Sequence, residues 1–271
     1  MRARAALMLA FTPAAPLAAA PVSIPARVVS VNPCVDAILV EVADARQIAG
    51  ISHYSQDPRS TSMALATARR FTSTAGTAEE IVALAPDLLL SGSHVAPATA
   101  NALRRMGVPI IEIGIAESIA ESRTQIRTIA AAVGHPARGE ALVARIDAAV
   151  AAARAPGAPL PALIWAGGGL VPGSATLADD LLRTTGFRNL SRDYGLQKWD
   201  VLPLERLVAA PPRVLLTTAA VPGDDRMLGH PVLRPLAGQV AVRPFPEHLL
   251  NCGGPTIIAA LGQLATVRKS L

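Results

Sequence analysis

Residues Pro136–Ala153, PARGEALVARIDAAVAAA, read as one uninterrupted helix. Pro136 suits the first helical position, where a missing N–H costs nothing, and Ala141, Leu142, Arg145, Ile146, Ala149 and Val150 recur at spacings of three and four. At 1.5 Å per residue the helix spans about 27 Å, roughly the width of a small domain. Pro156 and Pro159 stop it. The tracts on either side are of similar size, and each alternates short apolar strands with Ala/Leu helices. The fold class expected is therefore α/β: two Rossmann-like lobes with mainly parallel sheets, joined by this single long helix. The boundaries read as a leader at 1–20, an N-terminal lobe at 21–134, the interlobe helix at 135–156 and a C-terminal lobe at 157–271.

Working outward, the N-terminal tract gives a strand at Arg27–Val31, a helix at Cys34–Val42, a strand at Ile48–Ser52, a loop, and a helix at Ser62–Arg70. In GTAEEIVALAPDLLLSG, Thr77 can cap a helix, Pro86 closes it, and Leu88–Leu90 form a buried strand. The strands lack polar alternation, which suits a parallel sheet covered on both faces. The C-terminal tract repeats this unit. Glu79 through Leu90 align without a gap with Glu205 through Leu216, each copy running helix, proline stop, strand. Such a repeat is expected of two pseudo-equivalent lobes.

Composition narrows the class. Apolar residues make up 51% of the 271, which calls for a folded core, and aromatics only 3%, so that core is aliphatic. The net charge of +5 comes from scattered arginines without a basic tract, which argues against nucleic acid as a partner. MRARAALMLAFTPAAPLAAA resembles a secretory leader, with Arg2 and Arg4 ahead of an apolar run and a small-residue end. A short buried helix is the alternative, disfavoured by Pro13 and Pro16. Cys34 does not resemble a lipid-attachment site, so no lipid anchor is expected. Cys34 and Cys252 are the two cysteines. In an exported chain they either pair or stay as partly buried thiols.

In open α/β sheets ligands meet the loops at the carboxyl ends of strands. Those loops hold Cys34, His53, Tyr54 and His94 in the first lobe, and Arg226, Phe245 and Cys252 in the second. Trp165 and Trp199 stand out in so aromatic-poor a chain as flat walls for a large ligand. His53 and His94, completed by Asp57 or His248, have the residue types of a divalent-metal site but no tight ligand spacing, so the metal is left unknown. Gly167-Gly168-Gly169 permits close backbone approach without the spacing of a nucleotide fingerprint. GxSxG and HExxH are absent, and enzymatic activity is not expected.

Taken together, RVVSVNPCVDAILVEV, GTAEEIVALAPDLLLSG, GVPIIEI, the long helix and PLERLVAAPPRVLLTT resemble the helical-backbone class (class III) of periplasmic substrate-binding proteins. These serve ABC importers of cobalamin, ferric siderophores and haem. The resemblance implies a monomeric periplasmic carrier with no tightly required cofactor. Its ligand would be a metal chelate, with cobalamin or a ferric siderophore ahead of haem, and its partner a permease dimer in the inner membrane. By motif, Glu79 and Glu205 fall on the two lobe glutamates that dock onto permease arginines. Cys34 and Cys252 would sit near the amino ends of the first and final helices, on opposite lobes, where they can touch ligand or metal or staple the lobes. The alternative in another class is a secreted metal-dependent or thiol enzyme.

Overall fold

The structure is a computed structural model that describes residues 24–93, 95–218 and 225–271. The first lobe comprises β1 (Val28–Ser30), α1 (Pro33–Val42), β2 (Ile48–Ser52), α2 (Leu65–Ala68), β3 (Ser73–Thr74), α3 (Ala78–Ala83), β4 (Leu88–Ser91), α4 (Pro97–Arg105), β5 (Ile110–Glu112) and α5 (Ile119–Ala132). Helix α6 (Pro136–Ala153) leads to the second lobe. That lobe holds β6 (Leu160–Trp165), β7 (Leu170–Val171), α7 (Leu177–Thr184), β8 (Phe187–Asn189), β9 (Asp200–Val201), α8 (Leu204–Ala209), β10 (Val214–Thr217), β11 (Ala241–Pro244) and α9 (Thr256–Lys269).

Both lobes are built on parallel sheets, ordered β3-β2-β1-β4-β5 and β11-β10-β6-β8; β7 and β9 form a separate antiparallel ribbon. The repeat is structural as well as sequential. Under the gapless alignment, α3 coincides residue for residue with α8, and β4 with β10. Each strand lies between the equivalents β1 and β6 on one side and β5 and β11 on the other.

Local chemistry sets the helix starts. The Asn32 side chain accepts from the N–H groups of Cys34 and Val35, and Pro33 occupies the first turn of α1. Thr77, Ser118 and Thr176 cap α3, α5 and α7 in the same way. The expected helix over 62–70 shortens to Leu65–Ala68. Short strands β3 and β8 add to the expected elements, because each buries too few apolar residues to leave a run in the sequence.

Helix α6 is packed wall as much as connector. It buries Gly139, Leu142, Val143, Ile146 and Ala153, while Ala141 and Arg145 of the expected stripe face outward and Arg145 reaches Glu41 on α1 at 2.6 Å. One contiguous aliphatic core passes from Val28 and Leu90 through Ile38, Ile126, Leu142 and Ile146 to Leu261, Ile164 and Leu216, so the two sheets are bridged by α1, α5, α6 and α9. Each such side chain contributes about 1.5–3 kcal/mol when fully buried.

Candidate functional site: an interlobe cleft

The segment Asn32-Pro33-Cys34 turns sharply out of β1, and its capping geometry places Cys34 in the first turn of α1. Asn32 is held against the backbone of Gly92, where any Cβ would lie 2.3 Å from Asn32 Nδ2. On the second lobe, Asn251-Cys252-Gly253-Gly254 runs from β11 into α9. This segment presses on the first lobe closely enough to require both glycines. A Cβ at Gly253 would fall 2.6 Å from Ser122 Oγ on α5, and one at Gly254 2.6 Å from Ile38 Cγ1 on α1. Cys34 and Cys252 meet at this crossing and form a disulfide, with Cα atoms 5.0 Å apart across a sequence separation of 218 residues.

The disulfide lines a cleft of about 590 Å³ that both lobes enclose. Asn32, Val35, Ile38, Ser93, Ile113, Ile115, Glu117 and Gln125 come from the first lobe; Thr176, Leu177, Lys198, Trp199, Leu250 and Asn251 come from the second. The walls are mainly apolar, with Ile115 and Trp199 exposed by 77% and 41%. The charged groups on the walls are paired. Lys198 Nζ donates to Glu117 across the lobe boundary and also meets the Ala175 carbonyl at 3.3 Å, while Gln125 donates to the Gly114 carbonyl at 2.8 Å. Further links between the lobes run from Ile119 N–H to Asp180 at 2.9 Å and from the Ser62 hydroxyl to the His248 carbonyl at 3.2 Å.

Of the residues expected to face a ligand, the fold brings Cys34, Trp199 and Cys252 onto this cleft. Trp165 is elsewhere: at 0% exposure it fills the second lobe's own core with Leu163, Leu190 and Leu215, and its indole N–H donates to Asp225 at 2.6 Å. Phe245, 1% exposed, belongs to the shared core. Trp165 ends β6 and Phe245 follows β11, and at both places burial of a large ring outweighs display to a ligand. His53 and Tyr54 stack on each other at 4.0 Å on an exposed turn after β2, outside the cleft lining, with His53 Nδ1 3.3 Å from the Thr74 carbonyl. Arg226 is exposed and also outside the lining. His94 lies outside the described residues.

The glycine triplet serves the architecture of the second lobe. Its positive-φ turn folds β7 back against β9, beside Trp199, and Gly168 N–H donates to Asp225 at 3.1 Å. Burial opposes ionisation of Asp225, but the Trp165 indole and the N–H groups of Leu228, Met227 and Gly168 outweigh it and hold the carboxyl below its ordinary value. Of the suggested metal set, His53, Asp57 and His248 are among the described residues. Asp57 is engaged by Arg59 N–H and the Ser60 hydroxyl, His248 belongs to the other lobe, and no three His, Cys, Asp or Glu side chains among the described residues converge on a metal position. Sequence reading missed Glu117, Lys198 and the loop 113–117. The carboxyl-end rule applied to β5 pointed to that loop, but Glu117 reads as the start of the following helix.

Comparison with known proteins places this architecture. The profile of the family described as Periplasmic binding protein matches residues 28–239. The chain belongs to that family. Its two parallel-sheet lobes and connecting helix are those of class III periplasmic binding proteins, and it is a binding protein, not an enzyme. The periplasmic haem-binding protein RhuT from Roseiflexus sp. RS-1, in apo form, is 26% identical, with a TM-score of 0.72 over 90% of this chain and 98% of that one. The periplasmic haem-binding protein HutB of Vibrio cholerae is 18% identical (TM-score 0.75, 89% and 98% covered). The periplasmic vitamin B12-binding protein BtuF of Vibrio cholerae is 17% identical (TM-score 0.69, 91% and 98% covered). No curated protein matches by sequence alone.

Proposed function

We propose that this periplasmic binding protein captures haem in the interlobe cleft and delivers it to an ABC importer. The observation that carries the reading is a cleft of about 590 Å³ with a flat indole, Trp199, and isoleucines on its walls, in a chain whose 26% identical relative RhuT is a haem-binding protein. A broad apolar ring system stacks on such walls, and the few polar groups orient it. Cobalamin and ferric siderophores, foremost in the sequence reading, move behind haem, because RhuT, at 26% identity, is a haem-binding protein.

Periplasmic residence is supported by the leader-like first twenty residues, by a disulfide of the kind that persists in oxidising compartments, and by the family itself. No helix among the described residues is long and apolar enough to cross a membrane. Glu79 and Glu205, exposed in the first turns of the equivalent helices α3 and α8, form the proposed docking pair for the permease.

Titration of the apoprotein with haemin, followed in the Soret band alongside cobalamin and a ferric-siderophore panel, tests the reading. Saturable haemin binding is expected, weakened about tenfold by Trp199→Ala and less by Trp199→Phe. Binding of cobalamin or a siderophore without haemin would overturn it. Glu79→Arg with Glu205→Arg should abolish uptake while leaving ligand affinity intact.

A further inference from the structure

The Cys34–Cys252 bond meets the cleft unevenly. Cys252 is 3% exposed, whereas Cys34 is only half-buried, and both line the cavity. Cys34 is therefore the more accessible half of the bond and Cys252 the buried half. The bond also joins the lobes, at the point where Gly253 and Gly254 lie against α5 and α1.

We propose that this disulfide is a thiol-exchange site within the ligand cleft, cleaved in the folded protein by small dithiols, and that its cleavage loosens the contact between the lobes. The inference does not depend on which ligand the cleft holds. In the exchange, one thiolate of the dithiol attacks Cys34 Sγ and forms a new S–S bond. The Cys34–Cys252 bond breaks, and its electron pair leaves on Cys252 Sγ, which takes up a proton. The second thiolate of the dithiol then attacks its partner sulfur in the mixed disulfide. The reductant departs as a cyclic disulfide, and Cys34 is left as a thiol. Two electrons pass from the dithiol to the protein. The remaining ties at this crossing, Gly254 N–H to Ser122 and Lys198 to Glu117, are non-covalent.

The test uses the unmodified protein without denaturant. With dithiothreitol, the reduction rate should rise in proportion to reagent concentration and exceed global unfolding by at least about tenfold. With excess glutathione followed by iodoacetamide, mass spectrometry should find glutathione on Cys34 and the carbamidomethyl group on Cys252. After reduction, amide exchange should accelerate in peptides spanning 117–123 and 250–257 and stay unchanged in β1 and β4. A rate independent of dithiothreitol and equal to unfolding, glutathione on Cys252, or unchanged exchange at the crossing would overturn the proposal.

Discussion

The backbone N–H of Gly254 donates a 2.7 Å hydrogen bond to the hydroxyl of Ser122, so the chain entering the last helix of one lobe rests directly on a helix of the other. Gly254 adopts a φ of +66° there, with the place of its missing Cβ taken by Ile38. Gly254→Ala is expected to cost about 1–3 kcal/mol through backbone strain and overpacking. Gly262, on an exposed turn of α9 with open space at its Cβ, is the control: Gly262→Ala should add about 0.5–1 kcal/mol. Urea midpoints of the two variants should move in opposite directions.

The covalent tie at the same crossing closes a loop of 218 residues. Chain entropy alone then predicts that Cys34→Ser with Cys252→Ser lowers stability by up to about 5 kcal/mol. Urea denaturation of oxidised wild type against the double variant measures this. A difference under about 1 kcal/mol would mean that the bond constrains the unfolded chain far less than its loop length implies.

Asp36, wholly buried beneath the start of α1, accepts from Ser52 N–H at 2.9 Å and from the Ser55 hydroxyl at 2.6 Å. Burial pushes its pKa from 3.8 up to about 7, against hydrogen bonds from Ser30, Ser55 and Ser52 that pull it down. A carboxyl raised on folding is protonated in the native state at pH values where the unfolded chain has already ionised. Its contribution to stability is thus fully present below pH 3.8 and is lost as pH rises towards about 7. The loss amounts to about 4 kcal/mol at most. Asp36→Asn should remove that slope from a plot of unfolding free energy against pH, whatever its effect on absolute stability.

Lys198 and Glu117 pair across the cleft with side chains 59% and 45% exposed. So open a pair stabilises the fold by less than about 1 kcal/mol, and Glu117→Gln should barely shift the melting temperature. The same change frees Lys198 to meet the carboxylates of haemin. Affinity should then rise by up to about tenfold, and Lys198→Gln should lower it comparably, both effects shrinking at high salt. Equal haemin affinities for both variants would remove Lys198 from the ligand's anionic contacts.

Much of the fold was legible because its signals are local. Proline and cap positions bound α1, α3 and α6, and the helix–proline–strand repeat announced two equivalent lobes before any contact was known. The candidate site was legible only in part. Cys34, Trp199 and Cys252 reach the cleft, but Trp165 at the end of β6 and Phe245 just after β11 are buried in the core, and aromatic scarcity cannot distinguish a wall from a core. Lys198 and Glu117 gave no signal, since each is an ordinary surface charge until the lobes bring them together.

Local signals in the chain specified the main helices and strands, their α/β alternation, the pseudo-equivalent lobes and the long helix, because helix caps, proline stops and apolar runs act over a few residues. Packing of the lobes in three dimensions set the bond between Cys34 and Cys252 and placed Gly253 and Gly254 at the crossing. It alone decided that Trp199, and not Trp165, faces the cleft. Those facts depend on how two lobes pack through a shared aliphatic core, and contacts between residues more than a hundred positions apart leave no periodicity in the chain that makes them.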